Sequence, residues 1–233
     1  MEYLIIAIIV VLVVLIAKKV FGINKKEILE VVKNEKLDNI TKKYPENIEI
    51  CKWYLKRLNN ESVTIEENES KENCLYIAVT NKILIANIKD TYTRIQTIAH
   101  ECLHSIQGKK ILMFNFIFSN LYLLYFAIIS ILAAFNILPN QEVFLSVLIV
   151  LSMMYLLIRN YLENDAMIKA KYLAKEYMED VKISPNQEIA EIFSEYGKIN
   201  EYGIKATNYY LFFNCCIKII IFSLICFARI VAF

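Results

Sequence analysis

Four long apolar blocks constrain the fold of this chain more than any other feature of its sequence. They are Tyr3 to Ala17, Ile111 to Leu138, Val143 to Ile158 and Tyr209 to Phe233. Hydrophobic residues make up 57% of the 233 residues, whereas soluble domains contain about 45–50% apolar residues. A helix needs about 20 mostly apolar residues to cross a bilayer. The sequence therefore predicts a mainly α integral membrane protein with about four transmembrane helices.

The composition also excludes several classes of function. With only 4 Gly and 3 Pro, the chain cannot form a glycine-rich loop that cradles phosphate. A formal net charge of +2 gives no basic field for nucleic acid, so no nucleic-acid partner is expected. None of the six cysteines forms a C-x-x-C pair, and reduced thiols are predicted.

The distribution of lysines orients the predicted spans. Lys18 and Lys19 follow the first block and no basic residue precedes it, so the positive-inside rule places the N-terminus outside and the next segment in the cytosol. The connection from Pro139 to Glu142 also lacks Lys and Arg, which places it outside. The prediction is a transmembrane anchor (1–21), a cytosolic segment (22–110), a transmembrane hairpin (111–158), a cytosolic helical segment (159–208) and a C-terminal transmembrane helix (209–233).

Two local patterns stand out in the first cytosolic segment. Asn24 and Glu27 are spaced as a capping box, which predicts a helix through Ile28 to Val32 that Pro45 should break. The β-prone runs within Leu75 to Ala86 flank a polar turn and predict a small β-hairpin. Two roles are expected for its strand at Ile83 to Ile85. It is either an exposed edge that pairs with an extended substrate backbone or a strand that only packs in the core.

The motif with the strongest chemical meaning follows that hairpin. Thr97 to Gln107 reads T-I-A-H-E-C-L-H-S-I-Q, in which His100, Glu101 and His104 form H-E-x-x-H. Residues i and i+4 of a helix project from one face, so both imidazoles can bind one Zn²⁺ while Glu101 reaches a metal-bound water. These are the only two histidines in the chain, and chance would produce this arrangement roughly once in a thousand sequences or less.

The rest of this helix has the spacing of a buried stripe. The predicted core residues are Ile95, Ile98, Ala99, Cys102, Leu103 and Ile106. Cys102 lies about 200° around the helix from either histidine, so we assign it to the core and not to the metal.

A carboxylate is expected as the third protein ligand because the chain has no third histidine. It must lie on the same side of the membrane as His100, and Glu163 stands just beyond the third apolar block on that side. The alternatives are Asp165, Glu188, Glu191 and Glu195.

Taken together, A-H-E-C-L-H-S-I-Q, E-N-D-A at Glu163 to Ala166 and the order of segments resemble small membrane-integrated neutral zinc metallopeptidases of Gram-positive bacteria. The resemblance to the HtpX and prenyl-protease group is more distant. It implies a gluzincin-like endopeptidase with His100, His104 and Glu163 as zinc ligands and Glu101 as the catalytic glutamate. The HtpX-like pattern is E-x-x-A-D, and Met167 stands where its supporting aspartate would be.

These features predict a multi-pass membrane zinc metalloendopeptidase whose site faces the cytoplasm and whose partners are the lipid bilayer and a peptide or protein substrate. The alternative is a non-catalytic membrane scaffold or binding protein that retains the fold. Donors for a tetrahedral oxyanion are available at Arg159, Tyr202, Tyr209 and Tyr210.

Overall fold

The computed structural model describes residues 1–24, 33–68 and 74–232. Its helices are α1 (Glu2–Val20), α2 (Glu35–Thr41), α3 (Asn47–Arg57), α4 (Arg94–Ile106), α5 (Lys109–Ala134), α6 (Gln141–Val181) and α7 (Asn186–Ala232). Its strands are β1 (Thr64–Asn68), β2 (Leu75–Ile77) and β3 (Lys82–Ala86). The prediction of a mainly helical chain is confirmed. The helix expected at Ile28 to Val32 falls outside the described residues, and no described helix runs through Pro45.

Among the described residues, four helices are long and apolar enough to cross a membrane, namely α1, α5, α6 and α7. Large apolar side chains on these helices, such as Leu12, Leu121 and Val150, are more than half exposed. Contiguous apolar surface of this kind is rare on soluble monomers. The helices are therefore compatible with a membrane protein.

The chain divides into two compact units. The first, the apolar unit, consists of Met1–Ile23, Phe114–Tyr161 and Lys205–Phe233. The second, the polar unit, consists of Asn24–Met113 and Leu162–Ile204. Each unit has its own buried cluster of apolar side chains.

The polar unit contains the sheet, whose strand order is β1-β3-β2. β2 and β3 pair antiparallel from Leu75↔Leu84 to Ile77↔Lys82, which confirms the predicted hairpin. Asn81 adopts a φ of 50° in the turn, a conformation that asparagine tolerates better than most residues.

The first strand was not expected from the sequence. β1 pairs parallel with β3, with Ile65 opposite Ile83, although Glu66, Glu67 and Asn68 are poor strand formers. Because β3 has a neighbour on both sides, the first expectation for Ile83 to Ile85, an exposed edge, is wrong, and the alternative of a packing strand is confirmed. β3 is the central strand and its residues from Ile83 to Ala86 are buried.

α4 buries most of the predicted stripe against this core. Ile95, Ile98, Ala99, Cys102 and Leu103 are all buried. Ile106 is 45% exposed, so its assignment to the core was wrong, because it is the last residue of the helix. Cys102 Sγ lies 3.6 Å from Cys51 Sγ of α3, and both thiols are buried and free. Burial raises the pKa of the Cys102 thiol well above its ordinary value.

The first residue of α4 anchors the helix. Arg94 is fully buried, and its guanidinium donates hydrogen bonds to the carbonyl oxygens of Thr41 (2.7 Å), Tyr44 (2.8 Å) and Pro45 (2.9 Å) and to Oδ1 of Asn47 (2.9 Å). Burial lowers the pKa of Arg94, and four acceptors replace much of the hydration that the cation loses. The contact fixes the start of α4 to the connection between α2 and α3.

Replacing Arg94 should destabilise the polar unit. In Arg94→Met the four acceptors lose a charged donor inside the protein, and we expect unfolding to be easier by at least about 3 kcal/mol. Urea unfolding of detergent-solubilised protein, followed by circular dichroism, measures this loss.

Lys89→Ala is the matched control because Lys89 pairs with Glu46 beside the same connection, and both side chains are more than half exposed. Removing such a pair should cost less than about 1 kcal/mol. Equal stability of Arg94→Met and Lys89→Ala would contradict the anchoring role of Arg94.

Candidate metal centre

α4 and α6 bring two imidazoles and one carboxylate together. His100 Nε2 lies 3.0 Å from His104 Nε2, as expected for residues one turn apart on one helix face. Glu163 Oε2 of α6 lies 3.6 Å from each of these nitrogens. All three side chains are 13–17% exposed. We call this group the His100–His104–Glu163 triad, and all its residues belong to the polar unit.

The spacing of the triad fits a zinc ion. Zinc bonds of about 2.0–2.2 Å in tetrahedral geometry separate the ligand atoms by about 3.3 Å. The observed separations of 3.0, 3.6 and 3.6 Å bracket that value. Two imidazoles and one carboxylate are also the protein ligands of a class of catalytic zinc sites that keep a fourth position for water. The triad therefore has suitable donors at suitable distances.

The electrostatics of the triad favour a cation. Burial lowers the pKa of His104, but its hydrogen bond to Glu163 and the negative charges of Glu101 and Glu163 outweigh this effect and raise the pKa above its ordinary value. The same carboxylates that stabilise a protonated imidazole would stabilise a bound metal ion.

Glu101 lies beside the triad but has a different partner. Its side chain is buried, with 7% of the residue exposed. Its Oε2 accepts a hydrogen bond of 2.7 Å from the backbone N–H of Tyr76 in β2. The sheet thus orients this carboxylate, and Glu101 does not belong to the group of three possible ligands.

A side chain that the sequence did not single out supports His104. Gln107 Oε1 lies 2.8 Å from His104 Nδ1, and Gln107 Nε2 donates to the carbonyl oxygen of Leu162 (2.8 Å) and to Asp165 Oδ2 (3.2 Å). With its amide protons committed to these acceptors, Gln107 must accept the Nδ1 proton of His104. His104 Nε2 is then free to bind a metal.

Met167 stands where a supporting aspartate would be in the HtpX-like pattern, and the contacts of Gln107 show which side chains support His104 here. Asp165 supports His104 indirectly, through Gln107, although it lies only two residues from Glu163. Partial burial raises the pKa of Asp165, but hydrogen bonds from Lys169 and Gln107 outweigh it and lower the pKa below its ordinary value. Gln107 follows His104 by three residues, and this helical spacing was the signal that could have identified it.

The other carboxylates considered as third ligand each pair with a lysine. The pairs are Asp165 with Lys169 (2.6 Å), Glu188 with Lys43 (3.5 Å), Glu191 with Lys36 (2.6 Å) and Glu195 with Lys198 (2.7 Å). Glu163 is the one of these five carboxylates that the described geometry groups with both histidines.

The four candidate oxyanion donors are divided between the two units. Tyr202 belongs to the polar unit, whereas Arg159, Tyr209 and Tyr210 belong to the apolar unit. Their role stays a prediction.

A small cavity adjoins the triad. Its volume is about 190 Å³, and it is lined by Thr93, Gln96, Thr97, His100, Met167, Ile199, Asn200 and Gly203. Thr93 directly precedes α4, and the other residues come from α4, α6 and α7. We call it the His100 cavity. No sequence pattern predicts this cavity, because it depends on how the three helices pack.

Comparison with family models, curated proteins and solved structures found no match to this chain. The assignment of the site therefore depends on its motif and geometry.

Removing Glu163 should weaken metal binding without unfolding the protein. Glu163→Ala deletes one of the three possible ligands, and if the triad holds zinc we expect zinc affinity to fall by at least about 10²-fold, which is the upper end of the effect of removing a supporting group. Zinc competition with a chromophoric chelator measures this change. Glu191→Ala is the control, because Glu191 pairs with Lys36. Loss of zinc in the control and retention in Glu163→Ala would move the ligand to another carboxylate.

Gln107→Ala should also reduce zinc affinity, by about 10–100-fold, because His104 loses the acceptor that fixes its ring. The same chelator titration applies. Glu179→Ala provides a control on α6, since Glu179 pairs only with Lys175 among its described ion pairs. An unchanged affinity in Gln107→Ala would show that this hydrogen bond does not orient the ligand.

Proposed function

We propose that this chain is a membrane-bound zinc metalloendopeptidase. The observation that carries the proposal is the His100–His104–Glu163 triad, whose ligand atoms lie 3.0–3.6 Å apart beside the buried carboxylate of Glu101. His₂Glu sites with a neighbouring glutamate hydrolyse peptide bonds in known zinc enzymes. The resemblance of the motif to membrane-integrated neutral zinc metallopeptidases supports the same reaction.

Each residue has a distinct part in this mechanism. His100, His104 and Glu163 would hold the zinc ion, and Gln107 would keep the ring of His104 in the binding orientation. Zinc, when bound, supplies the Lewis acidity that makes water a nucleophile near neutral pH. Glu101 accepts the proton of the attacking water and later returns it to the leaving amine. The backbone N–H of Tyr76 donates a hydrogen bond to the Glu101 carboxylate and so fixes its orientation.

We further propose that α1, α5, α6 and α7 span the cell membrane and that the polar unit faces the cytoplasm. The length and apolar composition of these helices support the spans. Lys18 and Lys19 at the end of α1, together with the absence of Lys and Arg from the connection Pro139 to Glu142, support the orientation. The substrate is then a peptide or protein accessible from the cytoplasmic side.

The variant Glu101→Gln tests the enzymatic assignment. Glutamine keeps the shape and can still accept the N–H of Tyr76, but it cannot take a proton from water. We expect wild-type zinc content and at least about 10²-fold slower peptide hydrolysis, the low end for loss of a general base. His100→Ala should lose zinc as well.

A quenched fluorescent peptide library measures the rate, with Glu179→Gln as the control for removal of a carboxylate. If Glu101→Gln hydrolyses peptides as fast as the wild type, the enzymatic proposal is wrong. A non-catalytic scaffold then takes its place.

Cysteine labelling tests the orientation. All six native cysteines are buried, so single cysteines introduced at the exposed positions Ser62 and Ser194 can be detected against a low background. We expect both to resist an impermeant thiol reagent in intact cells and to react after lysis. Labelling of either from outside would contradict the shared cytoplasmic location.

A further inference from the structure

We propose that the His100 cavity binds one uncharged apolar side chain of the substrate, next to the peptide bond that is cleaved. This inference rests on the proposed function and adds a substrate preference to it. It is carried by the position, lining and size of the cavity.

The position of the cavity limits which substrate residue can reach it. His100 belongs both to the triad and to the cavity wall. A carbonyl group that is attacked at the triad must therefore lie within a few ångström of the cavity. Because one residue of extended chain spans about 3.3–3.6 Å, only the residues directly flanking the scissile bond can place a side chain there.

The lining of the cavity favours an apolar group. Met167, Ile199 and Gly203 form its apolar part, and among the described residues no Asp, Glu, Lys or Arg lines it. A charged side chain would lose its hydration there without gaining an opposite charge. An apolar side chain gains free energy from the same burial.

The two amide side chains in the wall are joined by one hydrogen bond, and Oε1 of Gln96 accepts none from the described protein atoms. Gln96 Nε2 donates a hydrogen bond to Asn200 Oδ1, and Asn200 Nδ2 donates to the carbonyl oxygen of Met167 at 2.7 Å. Both residues are buried, with 8% and 6% exposed. Their contacts join α4, α6 and α7 at the wall of the cavity.

The volume selects the size of the group. An apolar cavity of about 150 Å³ can hold a benzene molecule, and pockets for drug-sized ligands begin near 300 Å³. At about 190 Å³, the His100 cavity accommodates a single leucine or phenylalanine side chain but no larger ligand.

Gly203 offers a way to fill the cavity. A Cβ added at Gly203 would lie 3.9 Å from Met167 Sδ, an ordinary van der Waals contact, so the backbone accepts a side chain there. A leucine at this position would occupy the space that the substrate side chain needs. Gly197 lies on the same helix, and a Cβ added there meets nothing within 4 Å. Gly197→Leu is therefore the matched control.

The test compares zinc-loaded wild type, Gly203→Leu, Gly203→Ala, Gly197→Leu and Glu101→Gln in detergent. Each is incubated with peptide libraries randomised at the two residues that flank the scissile bond, and the products are identified by mass spectrometry. At one of the two positions, we expect the wild type to prefer Leu or Phe to Asp or Lys by at least about 10-fold. Gly203→Leu should shift this preference toward Gly or Ala by at least about 10-fold, with unchanged zinc content.

The variants distinguish the role of the His100 cavity from the proposed peptidase function. Gly203→Ala, which improves helix propensity, should give a smaller shift in the same direction, and Gly197→Leu should match the wild type. The cavity assignment is wrong if the wild type and both Gly203 variants show the same preference while cleavage still requires Glu101. That result would leave the proposed peptidase function standing. Failure of the zinc-loaded wild type to cleave any library would overturn the proposed function and this inference with it.

Discussion

The relative placement of α4 and α6 is the constraint on which the site depends. The two histidines lie on α4 and the carboxylate lies on α6, yet their ligand atoms come within 3.6 Å. Such an approach needs closely packed helices. Ala166, Ala170 and Ala174 of α6 are fully buried in the core cluster that also contains the apolar face of α4. These small side chains at a spacing of four residues form one helix face, which allows other elements to approach α6 closely.

Buried polar contacts fix the beginning of α4 in the same core. Besides the hydrogen bonds of Arg94, the hydroxyl of Tyr54 donates to the carbonyl oxygen of Ile95 (3.2 Å), and the hydroxyl of Tyr196 donates to that of Tyr92 (2.6 Å). Burial raises the pKa of both tyrosines above the ordinary value, so they remain donors at neutral pH. α4 is thereby attached to α3 and α7 before its first histidine. A rigid first turn keeps the imidazoles in register with Glu163.

The parts of the site that were predictable from the sequence are local. H-E-x-x-H fixes the mutual position of His100, Glu101 and His104 because helix geometry alone sets it. The sequence favoured Glu163 over four other carboxylates by its position just beyond the third apolar block, but its distance from α4 depends on tertiary packing and was not predictable. The contact between Gln107 and Asp165 joins side chains from distant parts of the sequence, and the His100 cavity is lined by several helices. Neither follows from a local sequence pattern. β1 was missed for a related reason, because its acidic sequence forms a strand only beside the buried β3.

X-ray absorption at the zinc edge of detergent-purified protein at neutral pH tests the central claim most directly. We expect close to one zinc per chain, bound only by nitrogen and oxygen at about 2.0–2.1 Å, with the outer-shell pattern of two imidazoles. The six cysteines make sulfur the obvious competitor. A zinc–sulfur distance of about 2.3 Å, or protein that takes up no zinc, would contradict the assignment of the triad.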